Sequence, residues 1–363
     1  MRFKKSTLVL IAVLAVLSAI AAVATFTLDN SIMEVPKGNA SVVVTGDVMF
    51  ARNMAGVLSL DESPFRHVEN VTGSADLLLI NFENAATTSG YAVKGDVPLK
   101  CDPSYVPLAK ANNNTVAALA NNHLFDYGTD GMKDTLKSLD DAGITHIGAG
   151  NNESQARQTA SSDINGRNIT IINYMDSNNF KEYSTDVMPQ ANGSDQGYSA
   201  YDSDVAKHQI QDAKANGSDV VIVYFHFGNE YSRSPNPDQE KMAHEVIDYG
   251  ADAVLGSHPH VTQGIEMYKG KPIFYSLGNF IFDMSNSATH IAYIVKMDFV
   301  NDTGECTVYP VIISGYLPYF MGPDEGTSLL NSLSPQCDDL EITPEGTGKL
   351  YFNLTDDNYE SKQ

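Results

Sequence analysis

The sequence predicts a layered α/β domain that follows a membrane-spanning N-terminal helix. Short, continuous runs of apolar and β-branched residues alternate along the chain with amphipathic helical patterns, as is typical of buried strands packed against helices. With 363 residues, of which 42% are hydrophobic and 19% charged, the chain has enough apolar material for a large packed core. There is no internal repeat, and the length permits one large domain or two.

The N-terminal segment combines positive charge with a long apolar stretch. Arg2, Lys4 and Lys5 precede an uncharged segment of 23 residues at 6–28, which is long enough to cross a hydrocarbon layer of about 30 Å as a helix. Positive residues before such a helix predict that the N-terminus stays in the cytoplasm and that the following chain lies outside the cell. We therefore predict a single-pass anchor at 1–28.

A cleaved signal peptide is the alternative to this anchor. Ala22-Val23-Ala24 has the small-x-small pattern of a processing site, and cleavage there would make the protein secreted. Both interpretations place the rest of the chain outside the cytoplasm. A linker containing Pro36 and Gly38 is predicted at 29–40.

Strands are predicted wherever the apolar runs occur. In chain order these runs are 41–45, 77–80, 115–120, 145–147, 168–173, 219–225, 253–255, 273–276 and 291–298. They are mostly short and continuous rather than alternating, which indicates strands that are covered on both faces. Strand and helix in repeated alternation predict a sheet with helices packed against it.

Two helices between these strands have clear start and stop signals. The first, at 130–142, has Asp130 as its predicted N-cap and ends at Gly143. The second opens at Asn236-Pro237, because proline is favoured in the first helical turn, and ends at Gly250.

These elements place the folded domain at 41–325. The stretch 177–198 is rich in Asn, Ser, Asp and Gly and is predicted to be a long surface loop or a lid over the sheet edge. The residues at 326–363 are polar and rich in Asp, and are predicted to form a C-terminal tail.

Charge and cysteine content narrow the functional classes. The chain has 45 acidic and 23 basic residues and a formal charge of −22, which argues against a nucleic-acid partner because such binding needs clustered Lys and Arg. Its three cysteines lack metal-type spacing. Outside the cell, Cys306 and Cys337 are expected to be able to form a disulfide, which would leave Cys101 free.

Side chains that bind metals or transfer protons collect directly after the predicted strands, where α/β sheets keep their sites. Carboxylate, amide and imidazole groups follow these strands in the segments Gly46-Asp47, Asn81-Phe82-Glu83, Asn121-Asn122-His123 with Asp126, His226 with Glu230, and Ser257-His258-Pro259-His260. Thiolates are missing from this set. It therefore predicts oxygen and nitrogen ligands for one or two divalent ions, Mn, Fe, Zn or Mg.

Two pairs in this set are more specific than a lone histidine. His258 and His260 leave an apolar strand as an i, i+2 pair, which is able to aim both rings to one side. In Asn122-His123 an amide oxygen can bind metal while the adjacent imidazole acts as acid or base. The remaining histidines are interpreted as structural residues with hydrogen-bond partners: His67, His146, His208, His244 and His290.

Six segments carry a family resemblance: GDVMFAR (46–52), NFENAATT (81–88), ANNHLFDYGTDGMKDTL (120–136), GITHIGAG (143–150), HFGNEY (226–231) and GADAVLGSHPHVTQGIEMYKGKPIFYSLGNFIFD (250–283). In these segments the chain resembles the CapA, or poly-γ-glutamate capsule biosynthesis, proteins, and the similarity covers about 41–298. That family is in turn similar to the calcineurin-like metallophosphoesterases. The resemblance implies a four-layer α/β/β/α sandwich with a metal centre.

The resemblance also implies a role for each matching residue. The residues that correspond to metal ligands are Asp47, Glu83, Asn122, His226, His258 and His260. Among them Glu83 lies nearest the position that bridges two ions. His123 corresponds to the group that gives a proton to the leaving oxygen. The residues expected to support the ligands or to touch the substrate are Asp126, Glu230, Asn279 and Arg52.

The chain departs from the phosphoesterase pattern at two points. Met49 stands where a second histidine follows the first aspartate, and Asn81-Phe82-Glu83 replaces the bridging aspartate motif. One of two metal positions therefore loses an imidazole. Hydrolysis by a clamp of two ions about 3.5–4 Å apart is not implied by the resemblance alone.

Together with the predicted N-terminal anchor, the resemblance implies a membrane-anchored, metal-dependent hydrolase or transferase that acts on an anionic γ-glutamyl polymer at the cell surface. Membrane subunits of capsule synthesis are the expected partners. Because the chain is acidic, a local basic strip formed by Lys94, Lys100 and Arg52 is expected to offset repulsion of the polymer. The alternative is a non-catalytic subunit that exports or tethers the polymer, which the methionine at Met49 favours. Generic phosphoesterase activity rests on fold analogy alone.

Overall fold

The computed structural model describes the following residues: 37–95, 97–180, 183–184, 186–333 and 337–355. The predicted anchor at 1–28, the processing site and most of the linker lie outside them. Among the residues just given, no helix is both long and apolar enough to cross a membrane.

The strands follow the predicted order closely and add several that the sequence did not reveal. In chain order they are β1 (Ala40–Val48), β2 (Leu77–Phe82), β3 (Ala85–Ala86), β4 (Lys100–Cys101), β5 (Thr115–Ala118), β6 (Thr145–Ile147), β7 (Ala149–Gly150), β8 (Ala160–Ile164), β9 (Arg167–Met175), β10 (Gly197–Tyr198), β11 (Val220–His226), β12 (Ala253–Ser257), β13 (Ile265–Tyr268), β14 (Lys271–Phe274), β15 (Asn279–Ile281), β16 (Ile291–Val300), β17 (Thr303–Ser314), β18 (Leu317–Phe320), β19 (Glu341–Ile342) and β20 (Gly348–Asn353).

The α-helices lie between these strands. They are α1 (Glu69–Thr72), α2 (Gly128–Asp141), α3 (Glu153–Ala156), α4 (Ser203–Ala215), α5 (Pro237–Asp248) and α6 (Pro323–Leu333). Short 3₁₀ turns occur at Arg52–Gly56, Pro103–Ala109, Ser177–Phe180 and Ser287–His290.

The larger sheet has ten strands, in the order β19-β20-β17-β16-β1-β2-β5-β6, with β15 beside β1 and β18 beside β17. Its strands β1, β2, β5 and β6 are parallel, whereas β16, β17 and β20 pair in antiparallel fashion. The parallel part brings the carboxyl ends of β1, β2 and β5 to one edge. The antiparallel part extends the sheet on the other side of β1.

The smaller sheet has six strands, in the order β13-β14-β12-β11-β9-β8. Strands β9, β11, β12 and β14 are parallel. This sheet therefore also collects the carboxyl ends of several strands, here β11 and β12, at one edge.

The two sheets pack face to face. Val44 and Leu79 of the larger sheet share one buried cluster with Ile222 and Leu255 of the smaller sheet. On the outer face of the larger sheet, Met132 of α2 packs in a cluster with strand residues such as Ile80 and Phe82. On the outer face of the smaller sheet, Ile210 of α4 and Val246 of α5 pack with Val223. These contacts make the four layers α/β/β/α, so the expected α/β class is confirmed.

The predicted N-terminus is correct for one of the two predicted helices and wrong for the other. The predicted start of the second helix at Asn236-Pro237 is correct: Asn236 is the N-cap of α5, and Gln239 completes a capping box with it. Asp130 is not a cap: α2 begins at Gly128 with Tyr127 before it and no side-chain cap. Gly128 has φ of +68°, so the chain enters this helix through a left-handed residue that only the tertiary structure reveals.

The predicted polar tail at 326–363 is wrong for its described residues, because they belong to the fold. The boundary at 325 falls inside α6, and β20 pairs with β17 in the larger sheet. Leu350 and Phe352 alternate with exposed Tyr351 and enter the core between the sheets. One alternating strand among polar residues is a weak signal in a sequence.

The cysteines form no disulfide, which corrects the expected Cys306–Cys337 bridge. All three are buried free thiols. Burial raises the pKa of Cys101 to about 12 and that of Cys337 to about 11. They are therefore apolar packing residues in this fold rather than crosslinks.

Candidate metal centre

The predicted strand ends of both sheets meet at one edge of the sandwich. The hydroxyl of Tyr224 on β11 donates to the carbonyl of Thr45 on β1 at 3.1 Å, which ties the sheets together just below this edge. Gly46 is required there, since a Cβ atom would lie 1.8 Å from the Gly278 carbonyl oxygen. The chain then turns Asp47 into the junction between the sheets.

Three buried residues at the ends of three strands, β1, β2 and β11, form the centre of the site. Asp47, Glu83 and His226 each offer one ligand atom, and these atoms lie within 4.8 Å of one another. His260 joins them, with its Nδ1 3.3 Å from Oδ2 of Asp47 and its Nε2 4.0 Å from Oε1 of Glu83. Two carboxylates and two imidazoles from distant parts of the chain thus surround one small volume.

Asn122 and His258 complete the set of six residues that the resemblance identified. Nε2 of His226 lies 2.9 Å from Oδ1 of Asn122. The ring of His258 lies 4.7 Å from that of His226 and 6.0 Å from that of His260, measured between centroids. All six side chains therefore converge; their roles as ligands remain predictions.

The two histidines after β12 are not held by an extended strand, as the i, i+2 spacing suggested. His258 and His260 have φ of +100° and +57°, a left-handed conformation that is costly for residues other than glycine. Nδ1 of His260 lies 2.9 Å from Oδ1 of Asn279, which orients this ring. The strained turn, rather than strand periodicity, brings both rings to the site.

Burial controls the protonation of these groups. Burial raises the pKa of Glu83 well above its usual range, and the charge of Asp47 adds to the effect. Burial also acts to raise the pKa of Asp47, but His260, His226 and Glu83 together outweigh burial, and the pKa falls below its usual range. Burial lowers the pKa of His226 to about 3 and that of His258 well below its usual range. Both imidazoles are therefore neutral, and each has one nitrogen lone pair that is able to bind a metal.

The side chains present fit the divalent ion that the resemblance implies. Oε1 of Glu83 and Nδ1 of His258 are buried and have no hydrogen-bond partner. Buried polar atoms are normally paired, since leaving one unpaired costs about 1–3 kcal/mol. An ion held by carboxylate oxygens and imidazole nitrogens would satisfy these atoms, and this donor set suits Mn, Fe, Zn or Mg.

His123 is held by a carboxylate beside this cluster. Its Nδ1 donates to Oδ2 of Asp126 at 2.6 Å, and the same oxygen accepts from the backbone N–H of Leu99 at 2.6 Å. Its Nε2 lies 3.9 Å from Oε1 of Glu83. Burial lowers the pKa of His123, although the Asp126 hydrogen bond opposes the shift. This orientation leaves Nε2 free to exchange a proton with a bound molecule.

A cavity of about 480 Å³ opens beside the cluster. Asn122, His123, His258 and His260 form its inner wall. The other predicted site residues on its walls are Arg52, which is paired with Asp283, and the exposed Glu230. Phe180 and Tyr183 of the predicted surface loop also line it.

Of the predicted basic strip, Lys94 and Arg52 line the cavity and Lys100 does not. The Nζ of Lys100 instead donates to the Ser89 carbonyl at 3.0 Å and lies over the ring of Tyr127. The five histidines interpreted as structural do not line the cavity either. Each has another partner: His67 stacks on Tyr319, His146 contacts Asp140, His208 the Asp204 carbonyl, His244 Glu266, and His290 the Met284 carbonyl.

Asn81 is a site residue to which sequence reasoning assigned no role. Its Nδ2 donates to Oδ1 of Asp47 at 2.8 Å and to Oε2 of Glu83 at 3.2 Å, and lies 3.3 Å from Nδ1 of His226. The side-chain oxygen of Asn81, Oδ1, accepts a hydrogen bond from Nδ2 of Asn121 at 3.1 Å. Its position at the end of β2, opposite Asp47 on β1, was the signal that could have identified it.

Replacing Asn81 by aspartate is expected to make stability depend strongly on metal. A third buried carboxylate beside Asp47 and Glu83 should cost about 3–5 kcal/mol of unfolding free energy in EDTA, because the added charge has no partner. Added MnCl₂ should recover much of this loss. Thermal unfolding of wild type and variant, in EDTA and in MnCl₂, measures the loss of stability and its recovery.

Asn173→Asp is the matched control for this prediction. Asn173 is equally buried and hydrogen-bonded, to the Tyr224 carbonyl and the Ala120 N–H, but it is not one of the groups that surround Asp47. Its variant should lose stability equally with and without metal. If N81D also loses stability equally under both conditions, no cation binds beside Asn81.

Comparison with known proteins agrees with the motifs. The family model "Bacterial capsule synthesis protein PGA_cap" matches residues 41–284. The PGA biosynthesis protein CapA of Bacillus subtilis (strain 168) is 34% identical over 288 residues, which cover 77% of this chain and 73% of that protein. The capsule biosynthesis protein CapA of Bacillus anthracis is 31% identical over 265 residues, which cover 70% of this chain and 63%, less than two thirds, of that protein.

Among solved structures, the calcineurin-like phosphoesterase YfkN from Bacillus subtilis aligns with a TM-score of 0.44 and 14% identity, over 88% of this chain and 92% of that one. The sequence comparisons confirm the resemblance that the strand-end motifs indicated. The chain belongs to the bacterial capsule synthesis protein PGA_cap family.

Proposed function

We propose that this chain is a metal-dependent hydrolase or transferase that acts on an anionic γ-glutamyl polymer at the outer surface of the cell. The observation that carries the proposal is the buried group of Asp47, Glu83 and His226, which lies next to the oriented His123 and an open cavity. Packing alone does not require so many ionisable groups in one buried place, because each is costly without a partner.

The chemistry divides between the implied ion and the residues around it. A divalent ion held by Asp47, Glu83 and His226 would polarise the attacked carbonyl or phosphoryl group. His123 holds its Nδ1 proton on Asp126 and lines the cavity, where its Nε2 would first take a proton from the attacking water or hydroxyl and then give that proton to the leaving atom. Leu99 and Phe180 give the cavity an apolar part of its wall.

The substrate class is supported by the relatives and by local charge. The B. subtilis relative is described as a PGA biosynthesis protein and the B. anthracis relative as a capsule biosynthesis protein. An anionic polymer would be repelled by a chain with a net charge of −22, so positive charge must be local. The implied ion and the partly exposed Arg52 would supply it on the cavity wall; Lys94 lines the same wall but is buried beside Asp126.

The proposal includes the placement of the protein. The apolar segment at 6–28, with positive residues before it, would anchor the chain in the membrane with the catalytic domain outside the cell; secretion after cleavage is the alternative. At this position the domain would meet a growing surface polymer and the membrane subunits that make it.

A non-catalytic tethering or export subunit is the second candidate, and Met49 favours it. Met49 is fully buried, and its sulfur accepts a hydrogen bond from the Ala51 N–H at 2.9 Å, so it occupies the place of an imidazole without offering one. A second ion would be held weakly there, if at all.

Turnover by the purified full-length protein tests the proposal. The chain in detergent, supplied with MnCl₂ or ZnCl₂, should cleave or transfer a γ-glutamyl polymer or, failing that, a γ-glutamyl anilide, and EDTA should abolish the activity. Bis(p-nitrophenyl) phosphate is included to detect phosphodiesterase activity. Binding of the polymer without turnover of any of these compounds would support the tethering subunit instead.

A further inference from the structure

Lys94 is a buried cation that lies beside His123 and Asp126, the candidate proton-transfer pair. Its side chain is only 4% exposed. Its Nζ donates to the backbone carbonyl of Asn122 at 3.1 Å and lies 3.7 Å from Oδ1 of Asp126, and it is 5.1 Å from the centre of the Tyr183 ring. A buried ammonium group is costly unless a partner compensates it.

Asp126 needs this cation. Both hydrogen bonds to its carboxylate, from His123 Nδ1 and the Leu99 N–H, fall on Oδ2, whereas Oδ1 is buried without a hydrogen-bond partner. The Nζ of Lys94 lies on the side of Oδ1. It therefore supplies the counter-charge for an oxygen that no donor reaches.

The backbone around Lys94 binds the same turn. The N–H groups of Val93 and Lys94 point to the carbonyl of Asp126, at 2.8 and 3.5 Å. Together with the contacts from Leu99 and from Nζ, this places both ends of the turn 122–126 against one segment of chain. The turn contains the candidate ligand Asn122 as well as His123.

We infer that Lys94 is a positioning residue, which fixes the turn 122–126 and holds the Asp126 carboxylate so that His123 presents Nε2 to the cavity. This inference deepens the proposed function and rests on it only for its kinetic consequence. A substrate-binding role is less well supported, because the two polar atoms that Nζ contacts both belong to the turn.

Lys94→Met tests the inference, with Lys271→Met as its matched control. Lys271 is also buried and also pairs with a carboxylate and a backbone carbonyl, those of Asp252 and Asn353, at 2.9 and 2.7 Å, but it does not line the cavity. Both variants remove a buried ammonium group while keeping a similar side-chain volume. The full-length protein is used throughout.

The first readout does not depend on activity. In protein labelled with ¹⁵N-histidine, and with His123→Gln to assign the signal, wild type should show His123 with its proton on Nδ1 and shifted downfield by Asp126. The Lys94→Met variant should lose this signal or show mixed tautomers. The Lys271→Met variant should keep it.

The second readout is kinetic and uses whichever compound wild type turns over. Lys94→Met should lower kcat by about tenfold or more with KM changed little, because a misplaced acid slows the chemical step rather than binding. Metal content, measured in parallel, separates this effect from loss of the ion. Lys271→Met should lower thermal stability without this loss of kcat.

An unchanged His123 signal in Lys94→Met, or equal losses of kcat in both variants, would overturn the inference. If wild type turns over no compound, the proposed function fails, whereas the NMR comparison still decides the role of Lys94. Should Lys94→Met not fold, Lys94→Gln, which keeps a donor for the Asn122 carbonyl but no charge, is measured in the same way.

Discussion

Replacement of His226 by alanine is expected to abolish tight binding of a divalent ion. His226 is one of three residues whose ligand atoms lie within 4.8 Å of one another, and its burial keeps the imidazole neutral, the form that binds metals. Loss of a residue that merely supports a ligand costs about 10- to 100-fold in affinity, so loss of a ligand should cost more. Elemental analysis after dialysis should find the wild-type ion and almost none in the variant.

His244→Ala is the control for this prediction. His244 pairs with Glu266 at 2.9 Å and stacks on Tyr268, and it does not line the cavity. Its replacement should leave metal content unchanged. Retention of a full equivalent of metal by a folded His226→Ala variant would show that the ion, if any, binds elsewhere, and the proposed hydrolase would lose its physical basis.

Replacement of His123 by alanine is expected to lower kcat by about 10²–10⁴-fold while the protein keeps its metal. The reason is that Nε2 of His123 is the proposed proton-transfer atom, since the residue lines the cavity and its other nitrogen is occupied by Asp126. Steady-state kinetics and metal analysis on the same preparation check both parts.

Asp126→Asn should lower kcat less than His123→Ala does, because the imidazole of His123 remains but is no longer held in one tautomer. The two losses should not add in the double variant, since the residues act as one unit. A His123→Ala variant with wild-type kcat would assign proton transfer to another group, and one that also loses its metal would make His123 a ligand.

These two predictions separate the enzyme from the tethering subunit. Metal binding by His226 is expected of either, because an ion can stabilise a scaffold. Only the enzyme needs His123, whose orientation by Asp126 has no other evident structural purpose.

Much of the fold was predictable from local patterns. The strands β2, β6 and β11 were placed within one or two residues because they are short apolar runs bounded by polar residues. The capping box at Asn236 was predictable because all of its partners are within one turn. By contrast, the local pattern does not reveal most of α6 or β20, because their apolar faces are narrow and are buried only by residues from elsewhere in the chain.

The candidate site was predictable for a related reason. In parallel sheets the carboxyl ends of the strands share an edge, so polar residues that follow the strands are expected to meet. The positions of Asp47, Glu83 and His226 agree with this rule. The rule does not predict backbone conformation after the strand. His258 and His260 therefore lie in a left-handed turn rather than in the extended geometry that their spacing predicts.

The amino-acid sequence by itself determined the α/β class, the residue types at the strand ends and the family, because these depend on periodicity and on motifs that are contiguous in the chain. Only the tertiary structure decided that Asn81 lies among the candidate ligands, that Lys94 faces Asp126, that the cysteines remain unpaired and that Lys100 lies away from the cavity. Each of these depends on which side chains meet when two sheets pack face to face, and distances between residues far apart in sequence are set by that packing.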